Sequence, residues 1–291
     1  MAGKVYFGNK NKQTWIKAPA SGLKAGFSGY VSETQLLNGG ATLRRSQASH
    51  RKFSASWNGS MNSTDATENL YTIKDYSDGL YGDGPYYWLD PFAMNQNILP
   101  PHWAAPMLAE KDWSDLSAGA FVPTFTSSTA GNSYPIKYAE YVTTDAYESE
   151  LKLTIIIPTD YALNFGWHGP SGSSTSGIRI VPYLRSTGAA DTALNPTRID
   201  AGGTIRTNTK IKGDTYSYVE IFLATTLAST VKVTGMIAQV LPENSTVASG
   251  GFISGRGTTA LEFATFPQID LYSSAINDGW IGMSVDWVEV E

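Results

Sequence analysis

Residues 79–107 read GLYGDGPYYWLDPFAMNQNILPPHWAAPM, a stretch that packs Tyr81, Tyr86, Tyr87, Trp88, Phe92 and Trp103 beside five prolines, with only Asp83 and Asp90 charged. Flexible linkers are rich in Gly and Ser and poor in large apolar groups, so this segment must lie packed against something. Its prolines remove backbone donors and fix φ, which predicts short extended pieces and turns laid over a surface. We read Tyr86, Tyr87, Trp88, Phe92 and Trp103 as interface residues that bury the segment against the N-terminal domain or an adjacent subunit.

Upstream, residues 4–60 alternate in the manner of β-structure, at Val5–Phe7, Gln13–Ile16, Gly26–Leu36, Ala41–Arg45 and His50–Trp57. Asn38-Gly39-Gly40 and Asn58-Gly59 supply the positive φ that tight hairpins need. One helix is predicted at about Asp65–Tyr76, with Asp65 and Glu68 in a capping arrangement, Leu70 and Ile73 on one face, and Gly79 past the end. Downstream, Leu108–Gly119 is polar and reads as a domain junction. From Phe121 onward, short strands separated by turn signals at even spacing predict a sandwich or jelly roll. The expected fold is therefore mainly β: an N-terminal hub-type β domain over residues 1–110, with one short helix and the aromatic connector, then a C-terminal β-sandwich over 121–291. Trp280 and Trp287 are seven residues apart and would face opposite sides of a continuous strand. A strand starting at Ile281 would make Trp287 core and leave Trp280 at the loop edge.

The composition narrows the chemistry. Charged residues make up 16% of the 291, against roughly 25% in an average domain. There is no cysteine, which excludes disulfides and thiolate chemistry, and the three histidines stand singly. Metal sites would be left to carboxylates alone. The longest aliphatic run, Leu153–Ile157, is too short to span a bilayer, and the N-terminus lacks a secretory apolar region, so a soluble product without membrane insertion is expected. The net charge of −5 hides an asymmetry, because residues 1–60 hold nine Lys/Arg and one acid, +8, leaving −13 for the rest. We read the basic segment as a solvated or protein-contacting face, with steering of a polyanion as the alternative.

No P-loop, dinucleotide fingerprint, HExxH or EF-hand loop occurs, so no cofactor is expected. Gly169-Pro170-Ser171-Gly172-Ser173 lacks the final glycine of a nucleophile elbow and reads as a loop. Asp145, Glu148, Glu150 and Asp160 could in principle supply a glycosidase pair, but read more simply as surface charge. The expectation is a protein with no catalytic residues. One binding site is conceivable. Trp167 and His168 end a strand at a glycine-rich loop and Tyr183 lies on a following strand, the kind of aromatic and polar grouping that takes the C–H face and hydroxyls of a sugar. The simpler reading makes Trp167 a core or intersubunit residue.

The stretch at 79–107 closely resembles a run in minor tail proteins of long-tailed phages of Actinobacteria, which look like distal tail proteins. Gly255–Pro267 (GRGTTALEFATFP), Tyr272–Ile276 and Gly282–Glu289 (GMSVDWVE) are similar to the C-terminal end of the same proteins. The resemblance implies a non-enzymatic virion component at the tail tip, with an N-terminal hub domain that forms a ring, typically a hexamer, under the tail tube. It implies a galectin-like or carbohydrate-module-like sandwich outside that ring. Its implied partners are further copies of itself, the tail tube protein and other baseplate proteins. A host cell-wall glycan bound through the sandwich is the alternative function. Trp167, His168 and Tyr183 fall outside the resembling stretches and take no role from them.

Overall fold

The computed structural model describes residues 3–19, 24–27, 31–35, 41–45, 51–61, 71–89, 94, 97–104, 124–128, 136–143, 147–148, 152–169, 177–196, 198–199, 209–225, 227–245, 260–272 and 280–290. Those residues form two compact units, one made of Met1–Trp88 together with Thr259–Glu291, the other of Leu89–Thr258.

The first unit opens with a hairpin of β1 (Lys4–Gly8) and β2 (Gln13–Lys17), paired from Lys4↔Lys17 to Gly8↔Gln13. Its turn is held by Asn9, whose Oδ1 accepts from the backbone N–H groups of Asn11 and Lys12 at 3.1 and 3.0 Å. Gly8 stands at φ +151, and a Cβ there would lie 2.1 Å from the Lys12 carbonyl oxygen, so the turn requires glycine. Then come β3 (Lys24–Phe27), β4 (Val31–Gln35), β5 (Ala41–Arg45) and β6 (Arg51–Met61), with β4 paired to β5 and β3 to the start of β6.

Helix α1 (Tyr71–Ser77) buries Ile73 and Tyr76, three residues apart and so on one face. It ends as its sequence predicts. Gly79 takes φ +77, its N–H reaches the Tyr76 carbonyl at 3.1 Å, and Leu80 N–H reaches Asp75 at 2.9 Å. The expected start at Asp65 lies outside the described residues. Strand β7 (Tyr87–Leu89) then joins β1 and β2 in a three-stranded sheet.

The second unit begins in the remainder of the proline-rich stretch. Asn97 is buried and locks onto a later strand, its Nδ2 donating to the Met236 carbonyl at 2.8 Å and its Oδ1 accepting from Ala238 N–H at 3.1 Å. Helix α2 (Pro101–Ala104) follows and buries Trp103 and Ala104. The strands are β8 (Thr124–Ser128), β9 (Ile136–Thr143), β10 (Tyr147–Glu148), β11 (Leu153–Ile156), β12 (Tyr161–His168) and β13 (Ile178–Leu184). They continue with β14 (Arg198–Ile199), β15 (Thr209–Lys212), β16 (Tyr216–Thr225), β17 (Ser229–Val233) and β18 (Gly235–Pro242). One sheet centres on β16, paired with β10, β11 and β13; a second on β12, paired with β14, β15 and β18; a third has the order β17-β9-β8.

Alternation explains the core of this unit. On β16, Val219, Ile221 and Leu223 share a face with Ile178 and Ile180 of β13, and all five are buried. The Arg185 guanidinium ties the strand ends together by donating to the carbonyls of Gly213, Ile157 and Tyr216 at 2.8, 2.6 and 3.2 Å.

The chain then returns to the first unit with β19 (Leu261–Phe263), β20 (Gln268–Tyr272) and β21 (Trp280–Glu289). Strand β21 pairs with β6 from Ile281↔Met61 to Val288↔Lys52, and β19 and β20 add to its other edge. The mainly β class, built from several mostly antiparallel sheets, is as expected from the sequence. The expected division into 1–110 and 121–291 is corrected: residues 259–291 complete the N-terminal unit. The reason is a strand pairing across more than two hundred residues, which no local periodicity reports. Trp287 is indeed core, although the strand begins at Trp280.

Candidate functional site

The aromatic stretch does pack, and within its own chain. Tyr86, Tyr87, Trp88 and Trp103 are all buried, at 3–4% exposure. Tyr86 exchanges two backbone hydrogen bonds with Leu261, both 2.7 Å. Phe7 lies 6.0 Å from Tyr86 and from Trp88, Trp88 lies 5.6 Å from Trp287, and Phe263 lies 4.8 Å from Tyr86. Val5, Ile16, Phe53, Ala55, Trp57, Ile73, Tyr76, Leu261, Met283 and Val285 also belong to this cluster. Of the two alternatives for these residues, burial in the chain itself accounts for Tyr86 and Trp88, which leaves them no surface for a neighbouring subunit. Phe92 lies outside the described residues.

Beside that stretch lie two acids, Asp83 and Glu262. The Glu262 carboxylate packs flat against Gly84, where a Cβ would come within 2.2 Å of its Oε1. Burial, and then the nearby charge of Asp83, push the Glu262 carboxyl up from its ordinary value, and burial with the same two acids raises the Tyr86 phenol. Among the described residues of this unit, the large apolar side chains that remain exposed are Tyr71, Leu80 at 66% and Phe266 at 76%.

The grouping of Trp167, His168 and Tyr183 as a sugar site is corrected. Trp167 and His168 lie on β12 and Tyr183 on β13, strands of different sheets. Trp167 is fully buried, and its indole N–H donates to the Pro196 carbonyl at 3.0 Å, so its ring has no face to offer a ligand. His168 is buried as well. Of the carboxylates weighed for hydrolysis, Asp160 is an exposed turn residue at φ 65, the side chain of Glu148 is not described, and Asp145 and Glu150 lie outside the described residues.

Tyr183 belongs to a different constellation. Across β13 and β16 the pairs Tyr183↔Tyr218, Val181↔Glu220 and Arg179↔Phe222 alternate with the core pairs, so they occupy the opposite face of the sheet. Tyr183 and Tyr218 stack at 4.3 Å and 13°. The Tyr183 hydroxyl donates to Glu220 Oε2 at 2.8 Å, and Lys152 Nζ stands 3.9 Å from the same oxygen. Lys152 and Arg179 lie over the Phe222 ring, 5.0 and 6.0 Å from its centroid. At the end of the row, Tyr216 donates to Asp191 Oδ2 at 2.8 Å; with the Thr192 backbone N–H as the larger cause, this holds the Asp191 carboxyl below its ordinary value. Tyr218, Glu220 and Phe222 are buried on this face as well, so the row is a packed polar-aromatic layer. Sequence reading found only Tyr183 of these. The signal for the rest is the run YSYVEIFL at 216–223, where Tyr, Tyr, Glu and Phe alternate with aliphatic residues. No group of metal-binding side chains occurs among the described residues, and no helix among them is long and apolar enough to cross a membrane.

No family model matches the chain, and no curated protein does. Among solved structures it is similar to the enzymatically active domain of tailspike protein 4 of bacteriophage CBA120, at 14% identity and a TM-score of 0.28. That match takes in 53% of this chain and 22% of the tailspike chain. It is similar also to a carbohydrate-binding module of the β-sandwich superfamily, at 12% identity and a TM-score of 0.21, over 81% of this chain and 96% of that one.

Proposed function

We propose that this chain is a non-enzymatic structural component of a phage tail tip, a distal tail protein that forms a ring, hexameric by the resemblance of its sequence, and joins the tail tube to the baseplate. The observation that carries the reading is a convergence. Three stretches resembling minor tail proteins, around Tyr86–Trp88, Gly255–Pro267 and Gly282–Glu289, lie far apart in sequence and contribute Tyr86, Trp88, Leu261, Phe263, Met283, Val285 and Trp287 to one packed cluster. A resemblance spread over scattered surface loops would not do this.

Because Tyr86 and Trp88 are used inside the chain, ring contacts fall to what the first unit leaves uncovered. Leu80 and Phe266 are the most exposed large apolar side chains among the described residues of this unit, and we place the ring contacts there. The basic first sixty residues and the acidic remainder supply the complementary charge that sets register between copies. Electron microscopy of phage particles carrying a gold-labelled copy of this chain tests the reading. Label at the tail tip is expected; label on the head, or none on particles, would overturn it.

A further inference from the structure

We propose that the first unit is a receptor for residues 259–291 of its own chain, and that it stays open until the second unit has been synthesised. Its two pieces, Met1–Trp88 and Thr259–Glu291, are separated in sequence by the whole of Leu89–Thr258. The later piece is not a strand laid on a finished domain. Strand β21 runs between β6 on one side and β19 and β20 on the other, so it is interior to its sheet. Leu261, Met283, Val285 and Trp287 are buried in the same cluster as Phe7, Phe53, Trp57 and Trp88.

Without the later piece the first unit loses ladder and core together. Among the described strands β6 would keep only β3, paired along Arg51 to Ser54, and Tyr86 would lose both its 2.7 Å backbone hydrogen bonds to Leu261. Truncating one buried Trp or Leu already removes a large share of a domain's net stability, and here four buried side chains leave at once. The strand edge left open beside Phe53 and Trp57 is of the kind that native folds keep covered. The second unit depends on neither piece, because β8 to β18 pair only among themselves.

The order of folding follows from that topology. The second unit folds as it is made, whereas the first waits roughly 10–30 s while Leu89–Thr258 is synthesised at about 5–20 residues per second. The delay withholds ring contacts from incomplete chains, since Phe266 lies in the later piece itself. That consequence rests on the tail-tip reading, and the gating of the fold does not.

The test starts from the full chain with a protease site substituted for residues 248–254. Cut after folding, the protein should keep the later piece bound in native mass spectrometry, with hydrogen exchange of every strand as in the uncut chain. The pieces are then separated in denaturant and the larger one is refolded alone. Protection of β1 and β6 should fall about a thousandfold or more while that of β12 and β16 is unchanged, and a synthetic peptide of residues 259–291 should restore β1 and β6. Restoration by the added peptide distinguishes an open receptor from a misfolded chain. The proposal is overturned if β1 and β6 keep their protection without the later piece, if β12 and β16 lose theirs as well, or if the peptide restores nothing. Light scattering on the uncut chain reads the ring separately, so a failure to assemble there counts against the tail-tip reading and leaves the exchange result standing.

Discussion

Replacing Trp287 by alanine should destabilise the first unit and leave the second unchanged. Trp287 is fully buried, and its ring centroid lies 5.6 Å from Trp88 and 5.9 Å from both Phe7 and Phe263. Truncating a buried Trp to Ala costs about 3–5 kcal/mol. Three aromatic neighbours, each worth about 0.5–1.5 kcal/mol beyond area burial, put this site at the upper end. With about 1.4 kcal/mol per factor of ten, the slowest amides of the unit should exchange roughly a thousandfold faster. Trp287→Phe should be much milder, because the indole N–H of Trp287 is buried without a hydrogen-bond partner, and removing it relieves a desolvation cost of about 1–3 kcal/mol that offsets lost packing. Hydrogen exchange read peptide by peptide separates the units. Trp287→Ala should deprotect β1 and β6 while β12 and β16 keep their protection. Loosening of β12 and β16 with β1 and β6 unchanged would refute the assignment of the C-terminal strand to the N-terminal unit.

Glu262→Gln should stabilise the first unit at neutral pH. The Glu262 carboxyl is raised above its ordinary value of 4.5 in the fold, so its contribution is fully present below that value and is lost as pH climbs through the raised one. Thermal melts should diverge with rising pH, the variant lying higher, and coincident curves would contradict the cause assigned. Arg185→Ala removes three donors from the Gly213, Ile157 and Tyr216 carbonyls and should cost the second unit about 2–3 kcal/mol, read as a lowered denaturation midpoint. Lysine should not rescue it, since one ammonium cannot reproduce the fork. Phe266→Asp, at a side chain 76% exposed, should leave the melt unchanged while weakening assembly, measured by light scattering.

What was legible in the sequence follows from the range of the forces involved. Strands β1 and β2 and the end of α1 at Gly79 are set by neighbouring residues, and local pattern predicted them; the composition of the aromatic stretch predicted its burial, but its distant partners Leu261 and Trp287 are set only by the fold. The partner of β6 is β21, and only the folded chain brings Lys52 opposite Val288. A domain boundary drawn at the polar stretch 108–119 therefore missed the return of the last thirty residues. The grouping of Trp167, His168 and Tyr183 failed for a related reason. Trp167 stood out by residue type, but a strand covered on both sides buries its Trp, whereas Glu220 and Lys152 look ordinary until β11, β13 and β16 align them with Tyr183.

The central claim is that copies of this chain close into a ring at a tail tip, and native mass spectrometry of the purified protein, alone and with its tail tube protein, tests it most directly. The account predicts a discrete closed assembly, six times 31.4 kDa, by itself or on the tube. A species that stays at 31.4 kDa in both samples would contradict it.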